Sequence, residues 1–388
     1  MDLINRLIEC NCVKIGKYTL RNGNISRYYF DMKNLISYPK LLSEIGDLMY
    51  EIIKDRCDVI CGVPMGGLPL ATYISTRYGI PMIIPRKTTK GYGMEKQIEG
   101  EYTKDTTCII IEDVITTGSS INEVVDILRD ELIVLESVVV IDRQSGDKKN
   151  KIPVRPIITR TDIVKTKLKN LVEERGRLCF SADITDIEHL EETLDIVGPL
   201  ISVCKIHSDI YEDESTIRNI IVDAANEHGF LIMEDRKYVD ISHITLQQYA
   251  YVRDWVDMVT VMSTISEETI MNMSGVMIVA NMSNNNWDFT NWAKDLAVKC
   301  CDNVVGFITQ KPIRNLFKLR DTEDELTYFW NMTPGVSLNV SKTRDQRYRS
   351  IDEIDTDIII VGRGIYKSDD PMSSALDYCK YKKKLNEL

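Results

Sequence analysis

The sequence has no run of about 18 uninterrupted apolar residues, the length a helix needs to cross a bilayer. Its start, Met1-Asp-Leu-Ile-Asn-Arg6, lacks a basic segment followed by an apolar one, so no targeting leader is read there. A soluble, cytoplasmic protein without membrane contact is the expectation. Positive charge is in the minority, 48 Lys and Arg against 59 Asp and Glu. That balance disfavours a nucleic-acid partner, because gripping a phosphate backbone needs clustered cations. The ten cysteines include no Cys-x-x-Cys spacing, which sets aside the common zinc patterns; without a leader they are expected as reduced thiols. No internal repeat and no low-complexity tract competes with a globular reading.

At 388 residues the chain exceeds what one core usually serves, so two domains are expected, over residues 1–172 and 173–388. The first half alternates apolar strands with amphipathic helices, the pattern of an α/β fold with a largely parallel sheet. Strands are expected over 58–63, 107–111 and 137–141, with helical stripes at Leu41, Ile45, Leu48 and Ile52 and at Ile121, Val124, Val125 and Leu128. Residues 153–164 read as a last strand and 165–177 as a charged connecting helix. From Leu178 onward, eight strand-like runs separated by helical segments fit a (β/α)8 TIM barrel, whose active site lies at the carboxyl ends of its strands.

Two segments carry chemistry. In Ile109-Ile-Ile-Glu-Asp-Val-Ile-Thr-Thr-Gly-Ser-Ser120, an apolar strand ends in two acids and a small-residue loop opening onto a helix. Backbone amides around Gly118, with the Thr116, Thr117 and Ser119 hydroxyls, suit a phosphate, while Glu112 and Asp113 suit ribose hydroxyls or a cation shared with a diphosphate. A plain strand-to-helix turn accounts for Gly118 and Ser119, but not for two acids ending a buried strand.

In the second half, Ser181 and Asp183, Lys205 and His207, and Asp235 and Lys237 are i, i+2 pairs ending three successive strands, with Asp240 just beyond. Side chains two apart on a strand share a face, so each pair can point into the barrel mouth. Alternating ammonium and carboxylate groups lowers the cost of crowding charge there.

The first segment resembles the phosphoribosyl-diphosphate signature of type I phosphoribosyltransferases, and further motifs resemble the orotate phosphoribosyltransferase family. Leu20-Arg-Asn-Gly-Asn-Ile-Ser-Arg-Tyr-Tyr-Phe30 is similar to that family's substrate loop, with Arg21 in place of its usual lysine and Tyr29 and Phe30 at its aromatic positions. Arg86-Lys87-Thr-Thr-Lys90-Gly-Tyr92 is similar to its mobile basic loop, which implies that Arg86, Lys87, Lys90 and Tyr92 serve the diphosphate. Asp142-Arg143-Gln144 implies an arginine on the orotate carboxylate. Mg2+ is the implied cofactor, carried by the diphosphate without direct side-chain ligation. Met65-Gly66-Gly67 lacks the family's usual side chain there, leaving the Gly66 and Gly67 amides to contact diphosphate.

The second half resembles the orotidine 5′-monophosphate decarboxylase family through Phe180-Ser-Ala-Asp183, Lys205-Ile-His207, Asp235-Arg-Lys-Tyr-Val-Asp240, Thr333-Pro334-Gly335 and Ile360-Val-Gly-Arg363. The resemblance implies that Lys205, Asp235, Lys237 and Asp240 are catalytic, that Asp183 and Lys205 hold the ribose, and that Ser283 holds the pyrimidine. It further implies phosphate binding by Gln346, Tyr348, Gly362 and Arg363, and His207 orienting Lys205 or a sugar hydroxyl. Ile244 stands where that family usually has a threonine. No cofactor is implied for this half.

The order of the two halves is similar to that of uridine 5′-monophosphate synthases. It implies orotate, phosphoribosyl diphosphate and orotidine monophosphate as substrates, and a homodimer or larger even assembly in which Asp240 and the basic loop reach a partner subunit. A chain with only the decarboxylase active, or a nucleotide sensor without turnover, are the alternatives.

Overall fold

Uninterrupted apolar runs become buried central strands in both halves of the chain. The computed structural model describes residues 2–20, 23–86, 97–146, 150–284, 286–313, 329–338 and 348–380. Strands β1 (Val13–Thr19) and β2 (Ile25–Phe30) pair as a two-stranded sheet. The chain divides into one unit of Met1–Ile15 with Tyr29–Arg160 and another of Gly16–Tyr28 with Thr161–Leu388.

In the first unit, β3 (Val59–Gly62), β4 (Met82–Pro85), β5 (Ile98–Glu99), β6 (Thr106–Ile115), β7 (Leu132–Asp142) and β8 (Val154–Thr159) form a sheet ordered β5-β4-β3-β6-β7-β8. All pairs are parallel except β4 with β5. Cys108 to Ile111 of β6 are fully buried, as a parallel sheet covered on both faces requires. The chain leaves β3 toward β4 on one side and leaves β6 toward β7 on the other. The carboxyl ends of these two neighbours therefore form a topological switch point, where α/β folds bind ligands.

Two local expectations are corrected here. Helix Pro39–Ile53 buries Leu41, Ile45, Met49 and Ile53, whereas Leu48 is exposed, because the stripe follows steps of four along the helix. The last strand stops at Thr159, and a helix then runs Arg160–Arg175. Ile163, Val164, Leu168, Leu171 and Val172 are buried at helical spacing along it, so the expected charged helix begins earlier and packs one face.

The second unit closes eight parallel strands into a barrel: β9 (Leu178–Ser181), β10 (Val203–Ile206), β11 (Leu231–Tyr238), β12 (Met258–Met262), β13 (Val276–Val279), β14 (Val304–Ile308), β15 (Trp330–Pro334) and β18 (Ile358–Val361). Between the last two, β16 (Val336–Ser337) and β17 (Arg349–Ser350) make a short parallel pair. Seven of the eight barrel strands fall inside an apolar run expected from the sequence, while β11 continues past its run, through Arg236 and Lys237 to Tyr238.

The segment Gly16–Tyr28 meets the amino-terminal ends of barrel strands. Tyr28 Oη donates to Asp257 Oδ1 at 2.6 Å, and the Arg27 guanidinium donates to the Phe230 carbonyl at 3.1 Å and lies 3.7 Å from Asp257 Oδ2. The Ile232 amide also donates to Asp257, at 2.7 Å. Arg27 and Asp257 are almost fully buried, so each depends on the other for charge compensation.

Among the described residues, no helix is long and apolar enough to cross a membrane, and all ten cysteines are free.

Candidate active sites

At the switch point of the first unit, β6 carries Glu112 and Asp113 just before its end at Ile115, and the chain turns through Thr116, Thr117 and Gly118 into the helix Ser119–Leu128. Gly118 has φ of +81°, and a Cβ there would stand 2.2 Å from Asn150 Oδ1, so the turn requires glycine. The loop borders a cavity of about 170 Å3 lined by Glu112 and by residues 114–121, which include the start of the helix. Thr117 Oγ1 donates to Ser119 Oγ at 3.2 Å.

Arg143, after β7, donates its amide to the Ile115 carbonyl at 3.1 Å, which ties it to the root of this loop. Its guanidinium lies 5.5 Å from the Phe30 ring centre, and Lys14 lies 5.6 Å from that of the half-exposed Tyr29. Phe30, one of the two expected aromatic residues, thus meets Arg143 at the root of the phosphate-suited loop.

Arg86 pairs with Glu99 of the adjoining strand. One expectation changes. The Gly67 amide donates to the Val63 carbonyl at 3.0 Å, so it is occupied in the turn; Gly66 instead packs so close to Asp113 that a Cβ would stand 2.1 Å from its carboxylate. Arg21, Lys87, Lys90, Tyr92 and Gln346 lie outside the described residues.

At the barrel mouth a cavity of about 550 Å3 is lined by Ser181, Asp183, Lys205, Asp235, Lys237, Ser283, Pro334, Tyr348, Gly362 and Arg363, among others. That size suits a nucleotide. Asp235 is its electrostatic centre. Its Oδ2 receives Lys237 Nζ at 2.8 Å and Lys205 Nζ at 3.0 Å, with His207 Nε2 at 3.4 Å. Lys205 also lies 3.6 Å from Asp183, whose other oxygen accepts the Ser181 hydroxyl at 2.9 Å.

Burial opposes the charge on Asp235, but Lys205, Lys237 and His207 outweigh it and hold the carboxyl well below its usual range. Burial likewise opposes the Lys205 ammonium, and Asp235 with Asp183 overcomes it, holding Lys205 above the ordinary lysine value. For His207, burial and the neighbouring Lys205 prevail, so its imidazole is neutral near pH 7 and keeps a lone pair to share with the lysine at 3.0 Å.

Asp235 and Lys237 converge, but not along a regular strand. The β11–β12 register shifts between Glu234 and Tyr238, and Lys237 has φ of +55°. The bulge re-aims the lysine, as bulges beside active sites do. Sequence reasoning missed what holds it: Thr260 of β12, fully buried, donates to Asp235 Oδ1 at 2.8 Å and accepts the Lys237 amide at 2.9 Å. A threonine inside Met258-Val-Thr-Val-Met262 reads as an ordinary strand former, and no spacing rule ties it to Asp235.

Asp240 stands apart from the cluster. It is exposed, and its carboxylate accepts the Ile241 amide at 2.7 Å. Also lining the cavity, the Arg363 guanidinium lies 5.6 Å from the Tyr348 ring centre, following Gly362 just after β18.

Residues 176–378 match the family model of the orotidine 5′-phosphate decarboxylase / HUMPS family, and residues 31–169 match that of the phosphoribosyl transferase domain. The uridine 5′-monophosphate synthase of Naegleria gruberi is 30% identical over 98% of this chain and 95% of its own length. The orotate phosphoribosyltransferase of Methanosphaera stadtmanae is 38% identical, covering 42% of this chain and 95% of itself. The orotidine 5′-phosphate decarboxylase of Candida glabrata is 33% identical, covering 55% of this chain and 88% of itself. Fold, clusters and likeness together define a bifunctional enzyme, a phosphoribosyltransferase domain followed by a decarboxylase barrel. The chain belongs to the uridine 5′-monophosphate synthase family.

Proposed function

We propose that the first unit joins orotate to phosphoribosyl diphosphate, giving orotidine monophosphate and diphosphate, and that the barrel decarboxylates this product to uridine monophosphate. The observation that carries the reading is the Asp235 carboxylate, held ionised between Lys205 and Lys237 in a nucleotide-sized cavity that Arg363 also lines.

In the transfer step a ring nitrogen of orotate attacks the anomeric carbon as the bond to diphosphate breaks. Amides and hydroxyls of residues 116–119 hold phosphate oxygens, and Arg143 with Phe30 orients the pyrimidine. Glu112 and the loop hydroxyls line the cavity with oxygen donors of the type that suits Mg2+ carried by the diphosphate, through ribose hydroxyls and water. When bound, Mg2+ shares the charge that develops on the departing diphosphate.

In the barrel, Arg363 and Tyr348 anchor the substrate phosphate, Asp183 and Lys205 the ribose, and Ser283 the pyrimidine. The substrate carboxylate then lies against ionised Asp235. Loss of carbon dioxide moves negative charge onto the ring carbon, beside the Lys237 ammonium, which stabilises it and delivers the proton. Asp240, exposed and outside the cluster, fits a role in the site of a second copy, so the active form is a homodimer or larger even assembly.

The test is orotate absorbance with and without phosphoribosyl diphosphate and Mg2+, alongside turnover of supplied orotidine monophosphate. Orotate consumption that needs both additions, with uridine monophosphate as product, supports the reading. Turnover of supplied orotidine monophosphate alone overturns its first half.

A further inference from the structure

The Thr260 hydroxyl has one proton to give and gives it to Asp235 Oδ1, so its bond with the Lys237 amide is one it accepts. One buried oxygen thereby fixes two things. With Oδ1 held, the Asp235 carboxylate presents Oδ2 to Lys205 and Lys237. With its amide bonded to a side chain, the Lys237 backbone leaves the regular ladder and keeps φ of +55°, a conformation that a non-glycine residue holds only when its surroundings impose it. Lys237 Nζ then reaches both Asp235 Oδ2, at 2.8 Å, and the Asp235 carbonyl, at 3.4 Å.

We propose that Thr260 is a positioning residue for decarboxylation, its hydroxyl orienting the Asp235 carboxylate and fixing the bulge that aims Lys237 at the reacting carbon. This rests on the decarboxylase reading above. Thr260 itself touches no substrate atom in this account; it acts through the two charged residues, and a displacement of about 1 Å at such a site is costly in rate.

The experiment compares the full-length wild type with Thr260→Val and Thr260→Ser. It measures kcat and KM for supplied orotidine monophosphate, affinity for uridine monophosphate, and the orotate transfer rate. Valine keeps the shape and removes the hydroxyl, so kcat is expected to fall about 10–100-fold. Affinity for uridine monophosphate, which lacks the reacting carboxylate, and orotate transfer stay within about twofold. Serine restores kcat to within about threefold of wild type. Thr260→Val with unchanged kcat overturns the proposal, as does product affinity falling in step with kcat, the mark of a merely structural role. If Thr260→Val does not fold, Thr260→Cys, of similar shape and a weaker donor, carries the same expectation at about tenfold. A wild type that does not decarboxylate refutes the functional reading instead.

Discussion

Lys205 Nζ and Asp235 Oδ2 lie 3.0 Å apart, one at the end of β10 and the other on neighbouring β11, with the lysine also drawn toward Asp183. Both are almost fully buried, so the cost of desolvating them is met only while each has the other. Asp235→Asn removes the anion that presses on the substrate carboxylate and leaves two ammonium groups under-compensated. Decarboxylation is expected to fall on the order of 100–1,000-fold with orotate transfer intact, measured by parallel assays of both steps.

Arg363 lines the same cavity and lies near the Tyr348 ring. Arg363→Ala should raise KM for orotidine monophosphate by about 10–100-fold, the worth of a charge-assisted hydrogen bond. Free phosphite added with a substrate lacking its phosphate should recover part of the rate in the wild type and little in the variant.

Glu234 is a pH-sensitive group that the reaction does not use. Burial pushes its carboxyl up to about 7, against a bifurcated bond from the Ser208 amide to its two oxygens at 3.0 and 3.2 Å. Its pKa is raised on folding, so between about pH 4.5 and 7 the folded chain binds more protons than the unfolded one, and stability falls as pH rises through that window. Glu234→Gln should flatten the decline of melting temperature between about pH 5 and 8. A wild-type slope preserved in the variant contradicts this.

Much of this was legible from composition and periodicity. Runs such as Ile358-Ile-Ile-Val361 are buried on both faces and announce barrel strands without any partner in view. The charged pairs that end the early strands were equally plain. Non-local facts were not. The Thr260 bonds span about two dozen residues of sequence, the left-handed Lys237 breaks the period-two rule that first linked it to Asp235, and the Arg86 pairing depends on the strand beside it. Nor does any local pattern announce that Gly16–Tyr28 groups with the barrel, since the Arg27 and Tyr28 partners lie more than 200 residues away.

That last relationship carries its own prediction. Asp257 serves Arg27, Tyr28 and the Ile232 amide at once, all of them buried. Asp257→Ala should destabilise the barrel by about 3–5 kcal/mol, because it strands a buried guanidinium. Tyr28→Phe should cost about 1–3 kcal/mol. Thermal inactivation of the decarboxylase step reads both, and equal inactivation of the two variants and wild type contradicts the pairing.

The most direct measurement of the central claim is the product made by Lys237→Ala from orotate, phosphoribosyl diphosphate and Mg2+. The account predicts that orotate is consumed at the wild-type rate while orotidine monophosphate accumulates and uridine monophosphate does not form. Undiminished uridine monophosphate would contradict it.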